Sequence, residues 1–183
     1  MKKLIIALPT LIFLLALSSC TSSSQTPVPT TNNVLLTLDT RTTMAGVNVH
    51  LEIWPDGAIE YVYESGLRVP TTNNPATKIT RNGHLTKDDL NNLLKMVDSC
   101  PFDDKGICNA DTKIISTDAD SVLNVYYSGL TRSITANYQP LFHLFQPPEL
   151  TDVPEPIRNL FRQLKYLIDN NTTQTAMETI PVK

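Results

Sequence analysis

Val47-Asn48-Val49-His50-Leu51-Glu52-Ile53-Trp54-Pro55-Asp56-Gly57 decides how the chain is to be read. Val47, Val49, Leu51 and Ile53 alternate with Asn48, His50, Glu52 and Trp54. A period of two belongs to a half-buried strand, apolar side inward. Pro55-Asp56-Gly57 then reverses the chain, because Gly57 is free to take positive φ. Ile59, Tyr61 and Tyr63 continue the inward face on the return, with Glu60 and Glu64 outward. The stretch predicts a β-hairpin. Trp54, the single tryptophan, falls on its outward side at the tip. An exposed tryptophan is a candidate partner-binding residue, since such rings are favoured at hot spots. The plainer alternative is that Trp54 packs on the Pro55 ring or under a loop.

Working outward, Val34–Asp39 reads as a first strand, and Thr77–Arg81 as a short one after a polar loop holding two prolines. Thr86 with Asp89 approximates a capping box, and Leu85 with Leu90 takes the places of a hydrophobic staple. Leu90, Leu93, Leu94 and Val97 then form one helical stripe, which Pro101 prevents from continuing. Ser121–Tyr127, Ser128-Gly129 and Leu130–Ala136 read as a second hairpin with a Ser-Gly turn. Ile157, Leu160, Phe161, Leu164, Leu167 and Ile168 mark a last helix. This order predicts an α+β domain: an antiparallel β-sheet built from two hairpins, with two helices packed on one face.

The N-terminus sets the expected location. Lys2 and Lys3 precede an apolar run from Leu4 to Leu17, then small residues ending at Cys20. That order is a secretory signal, too short to span a bilayer as a settled helix of about 20 residues. Leu17-Ser18-Ser19-Cys20 resembles the bacterial lipobox. The resemblance implies cleavage before Cys20 and lipidation of its thiol, with acylation of the new amino group as a further step. Two or more acyl chains anchor stably where one does not. The alternative is an ordinary cleaved signal. The expected organisation is residues 1–19 as signal peptide, 20–33 as lipidated cysteine and disordered tether, 34–169 as one globular domain, and 170–183 as a disordered tail. The expected location is the extracytoplasmic side of the cell envelope, held to the membrane through Cys20. In a Gram-negative cell, Thr21 after the cysteine resembles the outer-membrane sorting pattern.

Formal charge is −3, and removal of Lys2 and Lys3 with the leader makes it −5. A chain with no basic stripe is not expected to seek nucleic acid. Besides Cys20 the cysteines are Cys100 and Cys108. Outside the cytosol such a pair is expected to form a disulfide, the alternative being a metal or redox pair.

No set of residues spells out catalysis. His50, His84 and His143 belong to no His-x-x-x-His pair or Cys-His cluster, so no metal site is expected. There is no Gly-x-Ser-x-Gly elbow and no glycine-rich phosphate loop, and no cofactor is implied. Asp103, Asp104, Asp111, Asp118 and Asp120 lack the spacing of a calcium loop.

The turn at Asp56-Gly57, then Gly83-x-Leu85-Thr86-x-x-x-Leu90 opening a helix, Asp118 before a hairpin turning at Gly129, and an apolar closing helix form a recognisable order. Over residues 34–169 it resembles the emfourin-like family of small bacterial proteins, whose named member inhibits thermolysin-type metalloproteases. The shared residues are turn glycines and helix leucines, so the resemblance implies the fold more than the inhibition, and no inhibitory residue is carried over. The anchor, the cysteine pair and the proline-rich 146–156 segment depart from it. The leading expectation is therefore a lipid-anchored binding domain with an extracytoplasmic protein partner, inhibitor-like in one form and not an enzyme. One alternative is an envelope hydrolase using carboxylates, which would gather Asp118, Asp120 and a histidine in a cleft. The other is a structural envelope component, which would expose an apolar patch around Leu141–Phe145.

Overall fold

The computed structural model describes residues 34–42, 46–66, 75–111, 119–137 and 152–180. The strands are β1 (Leu36–Thr42), β2 (Val47–Ile53), β3 (Ala58–Ser65), β4 (Ala76–His84), β5 (Ile107–Asn109), β6 (Ala119–Tyr127), β7 (Leu130–Ala136) and β8 (Thr172–Ile180). The helices are α1 (Lys87–Asp98) and α2 (Glu155–Asn171). All eight strands join one sheet in the order β5-β7-β6-β1-β2-β3-β4-β8. Every neighbouring pair is antiparallel except β5 with β7, which is parallel.

The expected α+β fold, a sheet of two hairpins with helices on one face, is thus corrected to a mostly-β fold built on one mixed eight-stranded sheet. Both hairpins are present, as β2–β3 and β6–β7. The first strand joins them, because β1 pairs with β2 on one side and β6 on the other. The short strand expected at Thr77–Arg81 is the nine-residue β4. Two further strands come from segments read as loop and tail. Within the Cys100–Asp111 loop, β5 lies alongside β7, and the expected disordered tail at 170–183 contains β8, which pairs with β4.

The local reasons for the elements hold. At the first turn Gly57 has φ 97, and its N–H donates to the Trp54 carbonyl at 2.9 Å. At the second, Ser128 (φ 54) and Gly129 (φ 76) are both left-handed, which suits the right-handed twist of the flanking strands. Helix α1 starts on the expected capping box. Thr86 Oγ1 accepts from Asp89 N–H and Asp89 Oδ2 accepts from Thr86 N–H, each at 3.1 Å. Pro156 lies in the first turn of α2, where its missing N–H costs no helical hydrogen bond.

Alternation places Leu36, Leu38, Leu51, Ile53, Tyr61 and Leu123 among the buried strand residues. They share one core cluster with Leu90, Leu93 and Val97 of α1 and with Ile157, Leu160, Phe161, Leu164, Leu167 and Ile168 of α2. All six stripe residues expected for the last helix are buried. At about 25 cal/mol per Å² of apolar area, this cluster dominates the stability of the domain.

The junction of α2 and β8 depends on close backbone approach. A Cβ on Gly83 would lie 1.8 Å from the Asn171 carbonyl oxygen. Only a glycine lets β4 pass this junction. Thr172 Oγ1 donates to the Ile168 carbonyl at 2.6 Å, and Arg81 Nη2 donates to the Thr172 carbonyl at 3.1 Å. The chain thus leaves the last helix directly into the edge strand.

Candidate functional site

The sheet face opposite the core carries the polar half of each alternating strand. Asp39, His50 and Val122 lie in one cross-strand row of β1, β2 and β6. His50 Nδ1 is 2.7 Å from Asp39 Oδ1, and His50 Nε2 is 3.3 Å from Glu52 Oε1. Partial burial pulls the His50 pKa down, but the hydrogen bonds and charges of the two carboxylates outweigh it, and the net direction is up. With a carboxylate at each ring nitrogen, His50 favours the doubly protonated form that donates at both. Asp120 does not join this group: it stands opposite Arg41 in the β1–β6 register. His84 is exposed at the end of β4. Asp118 and His143 lie outside the described residues. Among those described, no cluster of His, Cys, Asp or Glu could hold a metal ion.

Of the two readings of Trp54, exposed or packed under its neighbours, the structure has the packed one. Its place beside Ile53 put it outward, yet it is only 8 % exposed. Alternation names the face of a strand but not whether that face is covered. The indole Nε1 has no hydrogen-bond partner among the described residues. A ring so enclosed offers a partner little surface.

An exposed patch lies at the β6–β7 hairpin. Tyr126, Tyr127 and Leu130 stand out, Tyr127 at 49 % and Leu130 at 59 % exposure. A Cβ added at Gly129 would meet nothing within 4 Å, so the tip projects freely. Beside it a groove of about 200 Å³ runs between the hairpin and the end of α1, lined by Leu94, Val97, Val125, Tyr127, Leu130 and Arg132. Arg132 is held in place by an ion pair with Asp98 and by the Phe102 ring, 5.2 Å from its guanidinium carbon. The pattern of Tyr126, Tyr127 and Leu130 was legible as a hairpin. Its exposure was not, because Tyr and Leu near a turn read equally well as core.

A second, more open cleft of about 550 Å³ lies at the other end of the sheet, lined by Tyr61, Tyr63, Ile79, Arg81, Asp169 and Gln174. Arg81 Nη1 is 3.8 Å from Asp169 Oδ1, and Lys165 Nζ is 2.5 Å from Asp169 Oδ2. Burial raises the pKa of Tyr61 and Tyr63, so both phenols stay neutral. Phenol, guanidinium, carboxylate and amide groups give this cleft hydrogen-bonding capacity.

The expected disulfide is absent. Cys100 and Cys108 are free, buried thiols in the core cluster. Each sulfur donates to a backbone carbonyl, Cys100 to Met96 at 3.4 Å and Cys108 to Asn109 at 4.0 Å. Burial, with the Cys108 sulfur next in weight, pushes the Cys100 thiol up to about 12 against a smaller downward pull from Arg132. Burial also raises Cys108. Thiols so protonated are poor nucleophiles and poor metal ligands.

Cys20, the leader and the tether lie outside the described residues, as does Leu141–Phe145. No described helix is long and apolar enough to cross a membrane. No family model matches the chain, and no curated protein is similar to it.

Proposed function

We propose that the chain is a binding module of the bacterial cell envelope, held at the extracytoplasmic side of the membrane by lipid on Cys20. It engages a protein partner through the β6–β7 hairpin. One observation carries the reading: Tyr127 and Leu130 stand exposed at the lining of a mostly apolar groove. Aromatic side chains with a neighbouring pocket are what interface hot spots are made of. The partner it fits presents an apolar side chain to the groove. The inhibitor-like form of this reading rests on the sequence resemblance alone.

The hydrolase alternative needed Asp118, Asp120 and a histidine in one cleft. His50 is instead tied to Asp39 and Glu52 on an open face, away from both clefts. This arrangement favours binding over catalysis.

The test is capture of partners from an envelope extract with the tagged full chain, comparing wild type with Leu130→Asp and Tyr127→Ser. Both positions are exposed, so the melting temperature should hold while the captured partner is lost. Equal capture by the variants would sink the hairpin as the contact, and turnover of ester, peptide or glycoside substrates by the purified protein would sink the binding reading. Replacing Cys20 with Ala should release the protein from membranes; unchanged fractionation would remove the anchor.

A further inference from the structure

Three rows of side chains cross β3, β4 and β8 on the helix-bearing side of the sheet, where α2 ends. Tyr61, Arg81 and Gln174 form the first row, and Tyr63, Ile79 and Met177 the second. Ser65, Thr77 and Thr179 form the third. Neighbouring rows on one face lie two residues apart along a strand, or about 7 Å. The face is therefore polar, apolar and polar in turn. Tyr61 is buried in the core cluster, Tyr63 and Ile79 are half-buried, and Met177 is 64 % exposed. The core thins out across this corner and leaves the open cleft of about 550 Å³, with Asp169 of the last turn of α2 in its wall.

The polar groups of the cleft have complementary capacities. Arg81 only donates, the Asp169 carboxylate only accepts, and Gln174 does both. Arg81 Nη1 and Asp169 Oδ1 stand 3.8 Å apart, longer than a hydrogen bond. One ligand hydroxyl can therefore accept from the guanidinium and donate to the carboxylate. The bond from Arg81 Nη2 to the Thr172 carbonyl fixes the guanidinium in the wall. On the far side of the apolar row, the Ser65 and Thr77 hydroxyls stand 3.0 Å apart.

This pattern sorts ligands by class. An anion would face Asp169, and a cation would face Arg81 and the Lys165 that also pairs with Asp169. A zwitterion would have to part Arg81 from Asp169. An apolar ligand would strip water from that pair and replace none of its hydrogen bonds. What fits is a neutral molecule with a flat apolar face and hydroxyls around its edge, each able to donate and to accept. A pyranose ring has that form, and its C–H face packs well on an aromatic ring. The cleft lies within the size range of ligand sites and is roomier than a single sugar ring requires.

We propose that this cleft binds a neutral oligosaccharide, with one pyranose ring over Tyr63, Ile79 and Met177 and its hydroxyls on Arg81, Asp169 and Gln174. The site does not rest on the hairpin reading. Strands β1 and β2 separate β3 from β6 in the sheet order, so either site can fail alone.

NMR titration of the ¹⁵N-labelled full chain with cellotriose, maltotriose and chitotriose tests this, in a detergent that carries no sugar headgroup. At least one trisaccharide should move the amide signals of β3, β4 and β8, with a dissociation constant of about 1 mM or below. Gln174 is exposed, so Gln174→Ala should keep the fold and weaken binding about fivefold, the loss of one hydrogen bond. Tyr63→Ala should weaken it roughly tenfold or more. If Tyr63→Ala fails to fold, Gln174→Ala decides. Lys105→Ala, exposed beside β5 at the opposite edge of the sheet, should bind as wild type does. No shift with any of the three sugars up to about 20 mM would overturn the proposal. So would shifts confined to the β6–β7 hairpin, or undiminished affinity in Gln174→Ala. Binding of acetate or glycylglycine in the cleft, with none of the sugars bound, would overturn it as well.

Discussion

His50 Nδ1 and Asp39 Oδ1 stand 2.7 Å apart across the β1–β2 pairing, on the water-facing side of the sheet. Cross-strand neighbours of this kind are to a sheet what i,i+4 pairs are to a helix. The separation in sequence hides the contact, since Asp39 and His50 belong to different strands.

This pair makes stability depend on pH in a stated direction. The folded pKa of His50 lies above its ordinary value of 6.5, despite a downward pull from burial. A raised value means that the charged form is favoured by folding. The contribution is therefore complete below about pH 6.5 and is lost as pH rises through the folded value. Asp39→Asn should lower the His50 titration midpoint in an NMR titration. It should destabilise the protein near pH 5.5 by less than about 1 kcal/mol, because the pair is well exposed. Around pH 9 the contribution from His50 should vanish. An unchanged His50 midpoint in the variant would refute the coupling.

Gly83 is the position least able to accept a side chain. Its Cβ would meet backbone on α2 and β8, at 1.8 Å from the Asn171 oxygen and 2.9 Å from Thr172 Cα. Gly83→Ala should cost about 3 kcal/mol, near the upper end for overpacking, because no flexible side-chain end can give way. Hydrogen exchange should speed up along β4 and β8 first. A denaturant midpoint matching wild type would contradict this junction.

Neighbouring positions on α2 should differ sharply. Leu164 is fully buried and Tyr166 is largely exposed. Leu164→Ala should destabilise by about 3 kcal/mol through lost burial and a residual cavity. Tyr166→Ala should stay within about 0.5 kcal/mol of wild type. Chemical denaturation of both variants checks the orientation of the helix.

If the proposed location outside the cytosol holds, a disulfide oxidant there should close Cys100 with Cys108, which are free thiols in the structure. Each thiol loses its proton and one electron as the sulfurs bond, and the oxidant's disulfide is reduced to two thiols. Closing so short a loop should add roughly 2.5 kcal/mol on the chain-entropy account. Non-reducing peptide mapping of protein taken from the envelope, with melting measured with and without reductant, reads this out. Free thiols in that material would remove the bridge.

Read alone, the residues determined both hairpins, the capping box at Thr86 and the six buried positions of α2. Each of these is written locally, as a period of two or 3.6, a glycine at a turn, or a hydroxyl three residues before a carboxylate. They did not determine β5 or β8. Thr172–Ile180 has no apolar alternation because neither of its faces is buried, and a strand held by backbone hydrogen bonds to β4 leaves almost no mark in side-chain pattern. The enclosure of Trp54, the carboxylates around His50 and the exposure of Tyr127 and Leu130 were likewise set by the tertiary structure. A strand's own residues specify which way each side chain points, whereas what meets it there depends on strands and helices far away in the chain.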